Sequence, residues 1–207
     1  MRPDKASFYR FKTFLLNVCS ILSKEQKMNN KLRNAILLAT LGVIIISYAS
    51  CSVTIPKGAK AVKPFRKDKY LGTWYEIARM DFKFEKDLNN VTATYSLKDD
   101  GTIKVDNKGY NYVKKEWKQS VGKAKFVNES DEGRLKVSFF GPFYAGYNVI
   151  EIDDDYQYAL IVGNNLDYLW ILSRTKTIPE QVKQSYLTKA KSLGYKTEEF
   201  VWTKHDQ

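Results

Sequence analysis

The chain has 207 residues, 43% of them hydrophobic and 28% charged, which excludes a disordered or collagen-like polymer and fits one domain or two small ones. Its net charge of +11 is uneven: residues 1–50 hold eight basic and two acidic side chains, so the excess that could suggest nucleic acid lies largely in the first quarter, and no nucleic-acid partner is implied. With two cysteines and one histidine, His205 near the tail, the chain cannot supply four zinc-binding thiolates or a two-cysteine, two-histidine set. It is equally poor material for a Ser-His-Asp triad, and neither metal nor cofactor is implied.

The first feature in chain order is the apolar run Ala35–Ala49, preceded by Lys31 and Arg33. Fifteen residues are too few to span a bilayer as a helix, and a basic start with small residues at the end describes a secretory signal. A start at Met28 gives a signal of ordinary proportions over residues 28–50. Residues 1–27 then read as an extension from a start placed too far upstream, with a basic targeting extension as the alternative. The run closes in Tyr48-Ala49-Ser50-Cys51, which resembles the lipobox of bacterial lipoproteins, with Tyr48 where that family usually has an aliphatic residue. The resemblance implies that Cys51 is lipidated and becomes the N-terminus; ordinary cleavage nearby, leaving a free thiol, is the other reading. Ser52 is not the Asp that tends to retain such proteins at the inner membrane, so an outer-membrane anchor facing the periplasm is expected. Residues 51–69, with Pro56, Gly58, Pro64 and several lysines, read as the lipidated N-terminus and a tether. No cysteine follows Cys51, so the domain at 70–207 holds by packing without a disulfide.

From Tyr70 the chain alternates apolar and polar residues in short runs divided by turn signals. Strands are expected at Leu71–Met80, Val91–Leu97, Thr102–Tyr110, Lys118–Phe126, Leu135–Phe139, Tyr147–Ile152, Tyr158–Gly163 and Tyr168–Ser173. Asp99-Asp100-Gly101 is a hairpin signal, and Gly141–Gly146 is a loop. Asp153–Asp155 reads as an acidic hairpin turn, not a metal site. Eight antiparallel strands in sequence close into an up-and-down barrel wide enough for one small ligand. One helix follows at Pro179–Leu193, with Val182, Tyr186, Ala190 and Leu193 on the face that packs on the barrel. Phe200–Trp202 forms a short final strand. The fold class is therefore all-β: an eight-stranded barrel with one C-terminal α-helix.

Strand parity nominates the inward residues. Val91, Ala93, Tyr95 and Leu97 share a face, as do Ile103, Val105 and Asn107, Leu135, Val137 and Phe139, and Tyr168, Trp170 and Leu172. Of these, Ala93, Tyr95, Val105, Asn107, Val137, Phe139, Tyr168 and Trp170 are the candidate lining of a cavity, apolar with sparse polar groups. Glu76 shares the parity of Trp74 and, if it points inward, needs a proton or a partner. Phe82, Phe84, Phe143 and Tyr144 fall in the first long loop and in Gly141–Gly146; they read as a greasy lid, a membrane contact or ordinary exposed residues. On parity alone, a barrel filled by its own side chains is the preferred reading.

Tyr70-Leu71-Gly72-Thr73-Trp74-Tyr75, at the start of the first strand, resembles the Gly-X-Trp signature of the lipocalins. Leu166-Asp167-Tyr168 resembles that family's Thr-Asp-Tyr loop, with Leu for Thr, and Arg174 stands at its closing arginine. Val91–Leu97, Lys136–Phe143 and Tyr168–Arg174 are similar to the branch that holds bacterial outer-membrane lipoproteins and apolipoprotein D. The likeness covers about Phe65 to Trp202. It implies structural roles for Gly72, Trp74, Asp167 and Arg174, with Arg174 over the Trp74 ring at the closed end. It also implies a hollow barrel that carries a lipophilic ligand, fatty acid or lysophospholipid, for lipid storage or transport in membrane maintenance under stress. The alternatives are an enzyme on the same fold, with only Glu76 and tyrosines as acid/base candidates, and a filled-barrel interaction protein. Whether the chain forms a homo-oligomer stays open.

Overall fold

A computed structural model describes residues 53–128 and 130–206; the expected extension, signal and Cys51 lie outside them. Helix α1 (Lys67–Tyr70) leads into β1 (Gly72–Met80), β2 (Leu88–Leu97), β3 (Ile103–Asn111) and β4 (Glu116–Phe126). Then come β5 (Arg134–Ser138), β6 (Ala145–Ile152), β7 (Tyr158–Val162), β8 (Leu169–Ser173), α2 (Glu180–Ser192) and β9 (Phe200–Trp202). From β1 to β8 each strand pairs antiparallel with the next, and β1 pairs with β8, closing the barrel. The β2–β3 hairpin turns where the sequence placed it: Gly101 has φ +75°, and the Asp100 carboxylate accepts the Thr102 amide at 3.0 Å.

Closure between β1 and β2 is only half made by those strands, whose pairing runs from Gly72↔Tyr95 to Tyr75↔Thr92 and stops. Beyond it the chain's tail fills the gap. Strand β9 pairs with Ala78–Met80, and the Thr203 amide donates to the Ile77 carbonyl at 3.0 Å. On the other side the Asn90 amide donates to the Lys204 carbonyl, and Asn90 Nδ2 to the Asp206 carboxylate at 2.7 Å.

Two apolar layers hold the fold. One fills the lower barrel, with Trp74, Tyr95, Ile103, Val105, Leu135, Val149 and Ile161. The other lies between the outer wall and α2, where Tyr186 and Ala190 meet Ile77, Ala78, Leu160, Leu169 and Ile171. Pro179 stands just before the first turn of α2, where its missing amide costs nothing, and Gly194 ends the helix at φ +93°.

Three expectations need correction. The stretch 53–69, expected as a tether, belongs to the fold: Ala59 and Phe65 are buried, and the Val62 amide donates to the Val149 carbonyl at 2.9 Å. It runs down the outside of the barrel and turns under the closed end, where Phe65 packs in tilted and edge-on contacts with Tyr70, Phe126 and Tyr156. The folded unit therefore begins before Tyr70. Leu97, placed inward by parity, is 51% exposed because β2 has by then passed the barrel floor. Strands β2 and β6 begin at Leu88 and Ala145, earlier than the turn residues suggested, so the loops that precede them are shorter.

Candidate functional site

The barrel encloses a cavity of about 510 Å³. Parity within each strand sets its wall, and all eight sequence-predicted lining residues stand on it: Ala93 and Tyr95 from β2, Val105 and Asn107 from β3, Val137 from β5, Phe139, Tyr168 and Trp170. Leu88, Val91, Phe82 and Leu172 extend the apolar surface. Phe82 folds over the opening with its ring edge-on to Tyr168 and Trp170, at 5.4 and 5.6 Å. The backbone near Phe139 is kept close by Gly122: a Cβ there would meet the Ser138 carbonyl at 2.6 Å and the Phe139 ring at 2.8 Å.

The closed end is built by the motif residues. Gly72 adopts φ +96°, and a side chain there would press on Arg174. The Arg174 guanidinium lies 3.8 Å from the centre of the fully buried Trp74 ring. It also donates to the carbonyls of Lys69, Leu71 and Thr73 at 2.8–2.9 Å, tying α1 to the foot of β1. Asp167 stands apart: it is exposed in the β7–β8 loop, where its carboxylate accepts from Asn165 Nδ2 at 2.9 Å.

Polar groups are few and grouped. At the floor, Tyr147 Oη lies 2.5 Å from Tyr70 Oη and 2.7 Å from Tyr95 Oη. Burial pushes all three phenols upward, so they stay neutral and can both donate and accept. Higher on the wall, Asn107 Oδ1 is buried without a hydrogen-bond partner among the described residues.

The third group is charged. A bulge in β1 between Glu76 and Ala78 resets the parity, so that Arg79 returns to the inside of the barrel beside Glu76. Arg79 Nη1 donates to Glu76 Oε1 at 2.7 Å, and Thr203 Oγ1 donates to the same oxygen at 2.5 Å. Arg79 Nη2 donates to the Glu85 carbonyl at 2.6 Å, while the Glu85 carboxyl stands 3.8 Å from Arg79 Nε and accepts from Trp170 Nε1 at 3.2 Å. Two carboxyls thus share one guanidinium. Glu76 has the short contact; burial, and then the nearby Glu76 carboxylate, push the Glu85 carboxyl well above the usual range. This answers the question left by Glu76, whose partner is Arg79. Sequence reasoning missed Arg79, Glu85 and Tyr147. Alternation in β6 from Tyr147 to Val149 could have found Tyr147, but the bulge hides Arg79.

A protein of this geometry has known counterparts. The sequence profile of the Lipocalin-like domain matches residues 66–205. The chain is 51% identical over 166 residues to the outer membrane lipoprotein Blc of Escherichia coli, covering 80% of this chain and 94% of that protein. It is 45% identical to the protein of the same name from Vibrio cholerae, over 73% of this chain and 93% of the other. With apolipoprotein D of Rattus norvegicus it shares 34%, over 70% and 81%. Among solved structures, insecticyanin of Manduca sexta superposes with a TM-score of 0.62 at 18% identity, over 75% of this chain and 89% of that one, a likeness of fold alone.

Proposed function

The chain belongs to the lipocalin family, and we propose that it is a carrier of fatty acids or lysophospholipids, held at the outer membrane by a lipid on Cys51. The observation that carries this reading is the cavity itself: hollow, about 510 Å³, walled by Ala93, Val105, Val137, Phe139 and Trp170, with polar atoms in three small groups. Each methylene transferred from water into such a wall is worth about 0.8 kcal/mol, so an acyl chain binds before its headgroup makes any contact. The tyrosine hydroxyls on the cavity wall offer hydrogen bonds to a hydroxyl or carboxyl of the guest. Binding is reversible partitioning, with no covalent step; Glu76, the acid/base candidate of the sequence, is held by Arg79 and Thr203. We assign the anchor to the periplasmic face and the physiological role to lipid storage or transport during envelope stress.

Native mass spectrometry with lipid extraction, on the chain purified from cells, is expected to recover a fatty acid or lysophospholipid. Ala93→Phe places a ring in the cavity and is expected to weaken lipid binding at least tenfold while the melting temperature holds, since burying a few methylenes fewer already costs more than about 1.4 kcal/mol. An empty chain that ignores added lipids, or a folded variant with unchanged affinity, would overturn the reading.

A further inference from the structure

The two ends of the barrel differ in chemistry. At the open end, each loop between strands presents an exposed apolar side chain: Phe84 between β1 and β2, Val113 between β3 and β4, Phe140 and Phe143 between β5 and β6, Leu166 between β7 and β8. Phe84, Phe140 and Phe143 are 64%, 73% and 70% exposed. Such a ring of rim side chains is more than scattered surface residues account for. Lys83, Lys86, Lys114, Lys115 and Lys118 lie among them, against Asp81, Asp87 and Glu116. The closed-end turns are the opposite. They carry Asp99, Asp100, Asp131, Glu132 and Asp153–Asp155 mixed with Lys63, Lys67, Lys69 and Lys98, a polar surface on which Leu97 is the one exposed large apolar side chain among the described residues.

The N-terminal stretch enters at the open end. Arg134 Nη2 donates to the Val53 carbonyl at 3.1 Å, and Thr54 Oγ1 to the Asn164 carbonyl at 2.9 Å. Asn164, and Gly146 beside it, stand on the cavity wall near its opening. Cys51 precedes Val53 by two residues, so chain length alone keeps it within about 7 Å of that point. Because the stretch after Val53 is packed on the barrel, no slack remains to turn the molecule over.

We propose that the barrel sits mouth-down on the bilayer, with the rim phenylalanines in the interfacial layer, so that a lipid passes from the leaflet into the cavity without crossing bulk water. This rests on the reading above, in which Cys51 carries the anchor and the cavity takes lipid. Rim aromatics match the headgroup level, and the lysines between them reach the phosphates.

The test uses the lipidated chain recovered from cell membranes and reconstituted in vesicles of phosphatidylethanolamine and phosphatidylglycerol. Cys19 and Cys51 are the only native cysteines, so a cysteine at Phe84→Cys, Phe143→Cys or, at the far end, Asp100→Cys accepts a single polarity-sensitive fluorophore. All three positions are exposed, and thermal melts check that the fold is kept. The rim labels are expected to brighten and to lose most of their emission to quenchers on the acyl chains, while the label at 100 loses its emission to aqueous iodide. Rim labels quenched by iodide on a chain that still floats with the vesicles would overturn the orientation and leave the anchor standing. Rim labels protected from both quenchers would mean that a second copy of the chain covers the mouth, which also overturns it. A chain that does not float, and whose Cys51 takes up label, would refute the anchor and the orientation together.

Discussion

Trp74 is the residue on which the closed end depends. Its ring is fully buried beneath the Arg174 guanidinium, and its Nε1 donates to the Tyr70 carbonyl at 2.9 Å. Trp74→Ala is expected to cost about 3–5 kcal/mol, read as a lower urea midpoint at unchanged slope; a native midpoint would deny the role. Glu85 gives a prediction in pH. Its folded pKa lies above the unfolded one, so its contribution to stability is full below the unfolded value and is lost as pH rises through the folded one. Urea midpoints of the wild type should therefore fall across that range, and Glu85→Gln, which keeps an acceptor for Trp170, should flatten the fall. A wild-type midpoint that climbs over the same range would contradict this. The sequence displayed Gly72, Trp74 and Arg174 because each sits in a local motif. It did not display the Glu76–Arg79–Glu85 group, which is assembled by a bulge and by a loop crossing the opening.

Among elements, the strands were legible because a barrel with a wet outer face forces alternation, and α2 because its period differs from theirs. Strand ends were less so: at Leu88 and Ala145 the ladder continues through residues whose composition reads as loop. The attachment of α2 rests on few side chains, of which Ala190 is fully buried against the wall. Ala190→Asp forces an unpartnered charge into that layer and is expected to cost about 3–5 kcal/mol. Hydrogen exchange should locate the damage, accelerating the amides of Glu180–Ser192 more than those of β3. Equal acceleration in both would mean that the helix and barrel open as one unit.

For the whole molecule, the misread element was the stretch from Val53 to Lys69. Lysine, proline and glycine gave it the composition of a linker, yet Phe65 anchors it among three rings and its backbone completes bonds with β6 and the β4–β5 turn. Composition reports what a segment can do in water and is blind to an open apolar groove beside it. The difference is measurable: a tether tolerates Phe65→Ala, whereas a packed strap should lose about 3 kcal/mol or more in urea unfolding. The cavity lining was legible through parity; the hollow was not, since the same alternate aromatics fill many small barrels.

The gap between β1 and β2 has a consequence for how the protein is made. Its upper half is stitched by residues 200–206, which lie more than a hundred residues along the chain from the strands they join. Until they arrive, β1 and β2 keep unpaired edges, and β1 also waits for β8, nearly a hundred residues downstream. Such long-range closure is slow, and an open edge invites pairing with other chains. A chain lacking residues 200–206 would thus carry a finished pocket wall and an unsealed side, open to pairing with other chains.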